Sequence, residues 1–120
     1  MERGGKVIMA GRIPEEELPS LYKHASALIF PSLEEGFGMP VLEAMASSTP
    51  VIHSDHPAIS EAAGDAGLPF ECGNAVSLAN AICNLLQHKE LCLLLQNKGI
   101  ERAKQCTWQR FAESLIKLCQ

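Results

Sequence analysis

The apolar positions of this sequence divide the chain into two parts. In the first part, short continuous apolar runs occupy residues 6–10, 27–30, 51–53 and 67–70, and stretches of helical periodicity separate them. Short continuous runs are typical of strands buried on both faces, and strands that alternate with helices form parallel sheets. We therefore predict an α/β fold, with a Rossmann-like parallel sheet of about four strands and helices on both faces.

The second part of the chain shows helical periodicity only, which predicts a helical C-terminal tail. Asn74 is placed to cap one helix, a second helix carries Leu91 and Leu95, and Thr107 is placed to cap a third. The third helix has an apolar stripe that either covers the chain's own sheet or stays exposed, where it would favour self-association. The residues of this stripe are Trp108, Phe111, Ala112, Leu115, Ile116 and Cys119.

The composition indicates a small globular protein. The chain has 120 residues, of which 47% are hydrophobic, and a formal net charge of −4. This length supports one modest core, so we predict a single domain over residues 1–120. The mild acidity, without a basic patch interleaved with aromatic residues, argues against nucleic-acid binding. No apolar run approaches the length of a membrane span and the N-terminus does not resemble a signal peptide, so we expect a cytoplasmic protein without a transmembrane segment.

The cysteines and histidines do not suggest a metal site. The five cysteines are odd in number and too widely spaced for Cys-x-x-Cys chemistry, so we expect no metal cofactor. We interpret Cys83, Cys92, Cys106 and Cys119 as reduced core thiols, because they fall in or next to apolar helical patterns. The histidines form no ligand cluster. Residues 53–56 contain two of them, and there we prefer a solvated loop over a role in a site.

The most informative chemistry lies in two carboxylates, Glu35 and Glu43, on either side of a glycine-containing turn. Gly36 and Gly38 let the backbone turn sharply and approach a ligand closely, and Pro40 suits the first turn of the following helix. That helix is apolar except for Glu43, so we expect it to be buried, with Glu43 near its N-terminal turn. A helix N-terminus binds anions and carboxylates bind hydroxyls, so the pattern predicts a ligand that carries both phosphate and hydroxyl groups. An ordinary turn with a dipole-favoured glutamate is the alternative interpretation.

The same residues resemble the donor-binding half of the family 4 retaining glycosyltransferases, which have the GT-B fold. The resemblance rests on the spacing of Glu35 and Glu43, on Gly-Phe-Gly between them, and on Pro-Val-Ile at residues 50–52. It implies that the chain is the C-terminal half-domain of a GT-B fold. Further segments that match the family in the same order are residues 7–22, 61–68 and 102–108.

The resemblance also implies roles for individual residues. Glu35 would be the carboxylate of the catalytic centre, where it would hold hydroxyls of the transferred sugar, and Glu43 would hold the ribose diol of the nucleotide. Arg12 and Ile13 would lie beside the base. The implied donor is a nucleotide-diphosphate sugar of the UDP or GDP type, used without a metal, and the acceptor is unknown. The residues that would line the sugar and the diphosphate are Gly36, Phe37, Gly38 and Met39.

The implied reaction is a retaining transfer of a hexose from the nucleotide-diphosphate sugar to an acceptor hydroxyl. In the family, an arginine and a lysine that neutralise the diphosphate, and an N-terminal acceptor-binding domain, precede the region matched here. Lys6, Arg12 and Lys23 cannot be matched to that pair. We therefore expect a partial domain that is inactive alone and that works with an N-terminal glycosyltransferase domain or subunit. Two alternatives stay open: a donor-binding subunit of a split two-chain glycosyltransferase, and a non-catalytic interaction module or fragment.

One position departs from the family pattern. Ser48 stands where the family usually has a glycine that ends the helix with a positive φ. Serine adopts that conformation less readily, so we expect a local cost of about 1 kcal/mol or less and no loss of the site.

Overall fold

The computed structural model describes residues 5–31 and 39–118. Strands and helices alternate as far as β3, and the chain is helical after it. A 3₁₀ turn at Glu15–Glu17 leads into α1 (Leu18–His24), which is followed by β1 (Leu28–Phe30), α2 (Met39–Ala46), β2 (Val51–Ser54) and α3 (Pro57–Ala63). A second 3₁₀ turn at Gly64–Ala66 precedes β3 (Leu68–Phe70), α4 (Ala75–Gln87) and α5 (Lys89–Leu118).

The strands form a parallel sheet in the order β1-β2-β3. β2 lies in the centre, where its residue His53 is in register with Phe30 of β1 and with Pro69 of β3. All of β2 is buried, as expected for a parallel strand that is covered on both faces. The predicted α/β fold with a parallel sheet is therefore confirmed.

The strand predicted at residues 6–10 is wrong, because the described chain is irregular there. Val7, Ile8 and Met9 are exposed by 90%, 78% and 91%. A strand is stabilised by ladder hydrogen bonds to a neighbour and by burial of its side chains. This segment has no strand partner within the described sheet and buries almost none of its apolar surface, so strand propensity alone does not order it.

Helices cover both faces of the sheet, as predicted, because successive residues of β2 point to opposite sides. Val51 belongs to a buried layer formed with α2, α3 and the turn that follows α3. Ile52 belongs to a second layer formed with β3, α4 and α5. The other buried residues are Val41, Ala44, Met45, Ile59, Ala63 and Ala66 in the first layer, and Phe70, Ala81, Leu85 and Leu95 in the second.

The C-terminal region forms one helix, α5, where two were predicted. Thr107 lies inside α5, so its prediction as an N-cap is wrong. A threonine caps a helix only where the preceding chain leaves helical geometry, and neither proline nor glycine interrupts residues 100–118. Within the predicted apolar stripe, Leu115 and Ile116 are 47% and 59% exposed. None of the helices described here combines the length and the apolar character needed to cross a bilayer.

Ser48 has the positive φ that the family's glycine takes at this position, with a value of 63°. Two hydrogen bonds close this end of α2. The Ser48 N–H donates to the carbonyl of Met45 at 3.1 Å, and the Thr49 N–H donates to the carbonyl of Ala44 at 2.9 Å. These bonds form a Schellman motif, in which the residue after the helix has a left-handed conformation. The serine therefore keeps the helix end that a glycine gives in the family pattern.

Two histidines occupy ordered positions. The strand predicted at residues 51–53 is confirmed and continues to Ser54, so the solvated loop predicted at residues 53–56 is wrong for residues 53 and 54. His53 lies in β2 and is 2% exposed. His56 is the N-cap of α3, where its Nδ1 accepts a hydrogen bond from the Ala58 N–H at 3.2 Å. The polar residues favoured a loop in the sequence, but the register with β3 extends β2 as far as Ser54.

The described cysteines are free thiols, as expected. Cys92 and Cys106 are half-buried, but Cys83 is exposed, so its assignment to the core is wrong. On α4 the buried residues Ala81 and Leu85 define the side that packs against β3 and α5, and Cys83 lies on the other side. Cys119 lies outside the described residues.

Candidate functional site

A cleft of about 430 Å³ opens between α1 and α2. This volume is within the range of small-molecule sites, roughly 300–1,000 Å³. The cleft is built from three segments of the chain: the first 3₁₀ turn, helix α1, and the second half of α2 with the residue that follows it. Its lining residues are Glu15, Leu18, Pro19, Tyr22, Glu43, Ala46 and Ser47.

Glu43 enters this cleft from the second turn of α2. Val41, Ala44 and Met45 occupy the other side of the helix and are buried in the first core layer. The expectation that α2 is buried all round was therefore wrong, because Glu43 and Ala46 are exposed and face the cleft. The helix packs through one face only, which leaves the carboxylate accessible to a ligand.

Tyr22 of α1 contacts Glu43 across the cleft. Its hydroxyl donates a hydrogen bond to the Glu43 side chain. Burial raises the pKa of Tyr22 above its ordinary value of 10.0, and the negative charge of Glu43 and the hydrogen bond raise it further. The phenol is therefore neutral, and available as a donor, throughout the physiological pH range.

The backbone of Tyr22 is fixed to the end of α2. The hydroxyl of Thr49 donates a hydrogen bond to the Tyr22 carbonyl, and Thr49 is only 3% exposed. The Ala25 N–H donates to the same carbonyl at 3.3 Å. Because Thr49 follows the helix end at Ser48, the Schellman motif also sets the position of α1 beside α2.

The electrostatics of the cleft favour hydroxyl groups over phosphates. Glu15 and Glu43 both line it, and none of its lining residues in the described chain is a lysine or an arginine. Carboxylates accept hydrogen bonds from hydroxyls, whereas they repel phosphate oxygens. Within residues 5–31 and 39–118, no three His, Cys, Asp or Glu side chains come together as a metal site.

The predicted site residues are distributed unevenly over the structure. Of those that the structure describes, Glu43 lines the cleft. Met39 is the first residue of α2. Arg12 and Ile13 lie in the irregular segment before the first 3₁₀ turn, and neither is among the lining residues described. The remaining predicted residues, Glu35, Gly36, Phe37 and Gly38, lie outside the described residues.

Sequence reasoning missed the contribution of α1 to the cleft. In the sequence, Leu18, Tyr22 and Ala25 have the spacing of one apolar face of a helix, and the pattern gives Glu15 no role. The signal for Tyr22 was its hydroxyl, because a partly buried tyrosine usually needs a hydrogen-bond partner. The sequence does not identify that partner, since Glu43 lies on another helix.

Comparisons with known proteins agree on one family. The sequence profile of the family described as "Glycosyl transferases group 1" matches residues 2–118. The chain is 36% identical over 119 residues to O-antigen chain mannosyltransferase B from Escherichia coli. It is 41% identical over 87 residues to O-antigen chain mannosyltransferase RfbU from Salmonella typhimurium. These alignments cover 97% and 72% of this chain, but only 31% and 25% of the relatives.

Solved structures give the same result for the fold. The chain superposes on sucrose-phosphate synthase from Thermosynechococcus elongatus with a TM-score of 0.78 and 32% identity, over 90% of this chain and 28% of that one. It superposes on the C-terminal domain of the glycosyl transferase group 1 family protein LpcC from Francisella tularensis with a TM-score of 0.70 and 30% identity, over 79% of this chain and 50% of that one.

Proposed function

Because this chain belongs to the glycosyl transferases group 1 family and forms part of the C-terminal domain of a GT-B fold, we propose that it binds the nucleotide-sugar donor of a retaining hexosyl transfer. The observation that carries the proposal is the cleft between α1 and α2, into which the accessible Glu43 carboxylate projects. In this proposal Glu43 accepts hydrogen bonds from the ribose diol of the donor, as the sequence resemblance implies.

The acidic cleft divides the donor between two regions. Glu15 and Glu43 suit the hydroxyl-bearing nucleoside, and they do not suit the diphosphate. We place the diphosphate and the sugar at residues 35–39, where glycines permit close backbone approach and Glu35 is the predicted sugar ligand. Cations that neutralise the diphosphate would come from outside this cleft.

The chemistry asked of the protein is chiefly positioning. In the retaining mechanism that the resemblance implies, the leaving diphosphate helps to deprotonate the acceptor hydroxyl on the same face of the sugar. The protein then needs to hold the donor and to stabilise charge, and Glu35 need not act as a general acid or base. The names of the two mannosyltransferase relatives favour mannose as the hexose.

The acceptor and the cellular context belong to the proposal as well. The chain spans 31% of the first of these relatives, so we propose that a further glycosyltransferase domain or subunit binds the acceptor. The described cysteines are free thiols, which supports a cytoplasmic setting. We expect no hexosyl transfer by this chain alone.

An amide-resolved NMR titration with UDP, GDP and ADP tests the donor site. We expect shifts centred on residues 36–43 and 11–13, and a stronger response to one nucleotide would identify the base. Tyr22 and Glu15 should respond as well, because they line the same cleft as Glu43. A well-dispersed spectrum without shifts up to millimolar nucleotide would contradict donor binding by this chain.

The end of α5 favours a second candidate function, a donor-binding subunit that works with a separate acceptor-binding chain. Leu115 and Ile116 are 47% and 59% exposed on this helix. Exposed apolar side chains on one helix are typical of a surface that binds another protein or a second copy. Co-purification with an acceptor-binding chain, and hexosyl transfer restored by adding it, would support this function.

We expect Leu115→Lys to raise the solubility of the purified chain, and to lower its tendency to self-associate, without lowering its melting temperature. Leu115 is half-exposed, so a lysine there loses little burial and adds charge to the exposed surface. Sedimentation velocity reports the association, and thermal unfolding reports the stability. Leu95→Lys is the control on the same helix: Leu95 is 5% exposed, so this change should cost about 3 kcal/mol or more. A comparable loss of stability in both variants would place Leu115 in a core.

A further inference from the structure

We propose that Tyr22 is a positioning residue that holds the Glu43 carboxylate in place for the hydroxyls of the donor. This inference rests on the proposed function, in which Glu43 binds the ribose diol. It adds a residue on a different helix to the site. In this arrangement α1 supplies the hydrogen-bond donor and α2 supplies the carboxylate.

Glu43 needs such a partner because it stands on the exposed side of α2. An exposed glutamate has several free torsions, and ordering its carboxylate on binding a ligand costs conformational entropy. Ser47, the residue after the end of α2, does not order the carboxylate, since its hydroxyl donates to the backbone carbonyl of Glu43 at 3.1 Å. The Tyr22 hydroxyl donates to the side chain itself.

Tyr22 is well suited to this task because both its backbone and its ring are held in place. Its carbonyl accepts hydrogen bonds from the Thr49 hydroxyl and from the Ala25 N–H. Its ring packs against the first core layer, to which Val41 and Met45 of α2 belong. A tyrosine has only two side-chain torsions, so a ring held in this way presents its hydroxyl at a defined place.

The hydrogen bond leaves room for the ligand. An ionised carboxylate has about four acceptor positions on its two oxygens, and Tyr22 occupies one of them. The remaining positions suffice for the 2′- and 3′-hydroxyls of a ribose. Tyr22 therefore orients the acceptor group and does not compete with the diol for it.

The first test reads the contact directly, because Tyr22 is the single tyrosine of the chain. Tyrosinate absorbance during an alkaline titration therefore reports its pKa alone. The charge and the hydrogen bond of Glu43 raise that pKa, so Glu43→Gln should lower the midpoint. Glu15→Gln is the matched control, since it removes one charge from the same cleft and should lower the midpoint less. Equal midpoints in Glu43→Gln and wild type would overturn the proposal.

The second test reads the role of the contact. Tyr22→Phe removes the hydroxyl and keeps the ring, so the melting temperature should change little. Binding of the preferred ribonucleotide should weaken roughly tenfold, since a hydrogen bond to a charged group is lost. Binding of the corresponding 2′,3′-dideoxynucleotide should stay the same, because it lacks the hydroxyls that Glu43 receives. A merely structural tyrosine would change both affinities equally or lower the melting temperature.

The two proposals fail in distinguishable ways. If ribonucleotides bind with a preference for the diol and Tyr22→Phe keeps that preference, donor binding stands and the positioning role is overturned. If no nucleotide binds while Glu43→Gln still lowers the tyrosinate midpoint, the contact stands but donor binding fails, and the positioning role falls with it.

Discussion

Gly67→Ala should lower the free energy of unfolding by about 3 kcal/mol, at the upper end of the usual cost of overpacking a core. A Cβ atom at this position would lie 2.4 Å from Cδ2 and 2.6 Å from Nε2 of His53, and 3.1 Å from Cβ of Ala63. The φ of Gly67 is −109°, an extended value that any residue adopts. The expected cost is therefore steric, and it arises from the histidine ring.

The ring has little freedom to move away. His53 is the third residue of the central strand, is 2% exposed, and has neighbours in register on both sides, Phe30 and Pro69. Its Nδ1 lies 2.8 Å from the carbonyl oxygen of Ser54. Its Nε2 is buried without a hydrogen-bond partner in the described chain, which already costs the folded state free energy. Moving the ring within the core would not give Nε2 a partner.

A double-mutant cycle separates this contact from a general intolerance at Gly67. His53→Ala removes the ring, and in that background we expect Gly67→Ala to cost only about 0.5 kcal/mol. Chemical denaturation of the four proteins gives the coupling energy. Gly5→Ala is the control, because a Cβ there meets no atom within 4 Å and should leave stability unchanged. The same cost of Gly67→Ala in both backgrounds would contradict the steric explanation.

The end of β2 also shows what limits prediction of the fold from sequence. The apolar runs at 27–30, 51–53 and 67–70 predict the strands of the sheet, since burial on both faces leaves a direct signal. They do not predict pairing. Ser54 looks like the start of a loop, yet the register with β3 keeps it in the strand. Residues 6–10 look like a strand, yet they have no partner in the described sheet.

The helix ends show the same difference between features that depend on local sequence and features that depend on distant parts of the chain. Ser48 takes the positive φ of the family's glycine, and the local hydrogen bonds that Ser48 and Thr49 donate to Met45 and Ala44 hold it there. Such a feature depends on residues that are close in sequence. The N-cap predicted at Thr107 depended on a break between two helices, and α5 continues through this position because nothing in the sequence interrupts it.

Only half of the candidate site could be predicted from the sequence. Glu43 stood out because it is a lone carboxylate in an apolar helix, and the structure describes it in an accessible cleft. Tyr22 did not stand out, because its hydrogen bond to Glu43 and its link to Thr49 join residues that are far apart in sequence. A pattern within one helix does not encode a distance between two helices. The roles of Glu35, Arg12 and Ile13 stay predictions.

Glu43→Ala should weaken binding of the preferred ribonucleotide by roughly 100-fold or more and leave the stability of the fold nearly unchanged. Two hydrogen bonds from a ribose diol to an ionised carboxylate are lost, and each such bond contributes about 1.5 kcal/mol or more. Glu43 is exposed and outside both core layers, so its removal costs the folded state little. Isothermal titration calorimetry with UDP and GDP measures the loss.

The 2′,3′-dideoxy form of the same nucleotide makes the result specific. It lacks the hydroxyls that Glu43 receives, so wild type and Glu43→Ala should bind it with nearly equal affinity. Glu16→Ala is the matched control, since Glu16 is an exposed acid of the first 3₁₀ turn that does not line the cleft, and it should alter neither affinity. An equal loss for both nucleotides in Glu43→Ala would mean that Glu43 shapes the cleft without touching the diol. Retained affinity for both would place the donor elsewhere, because the accessible carboxylate of this cleft would then have no ligand to hold.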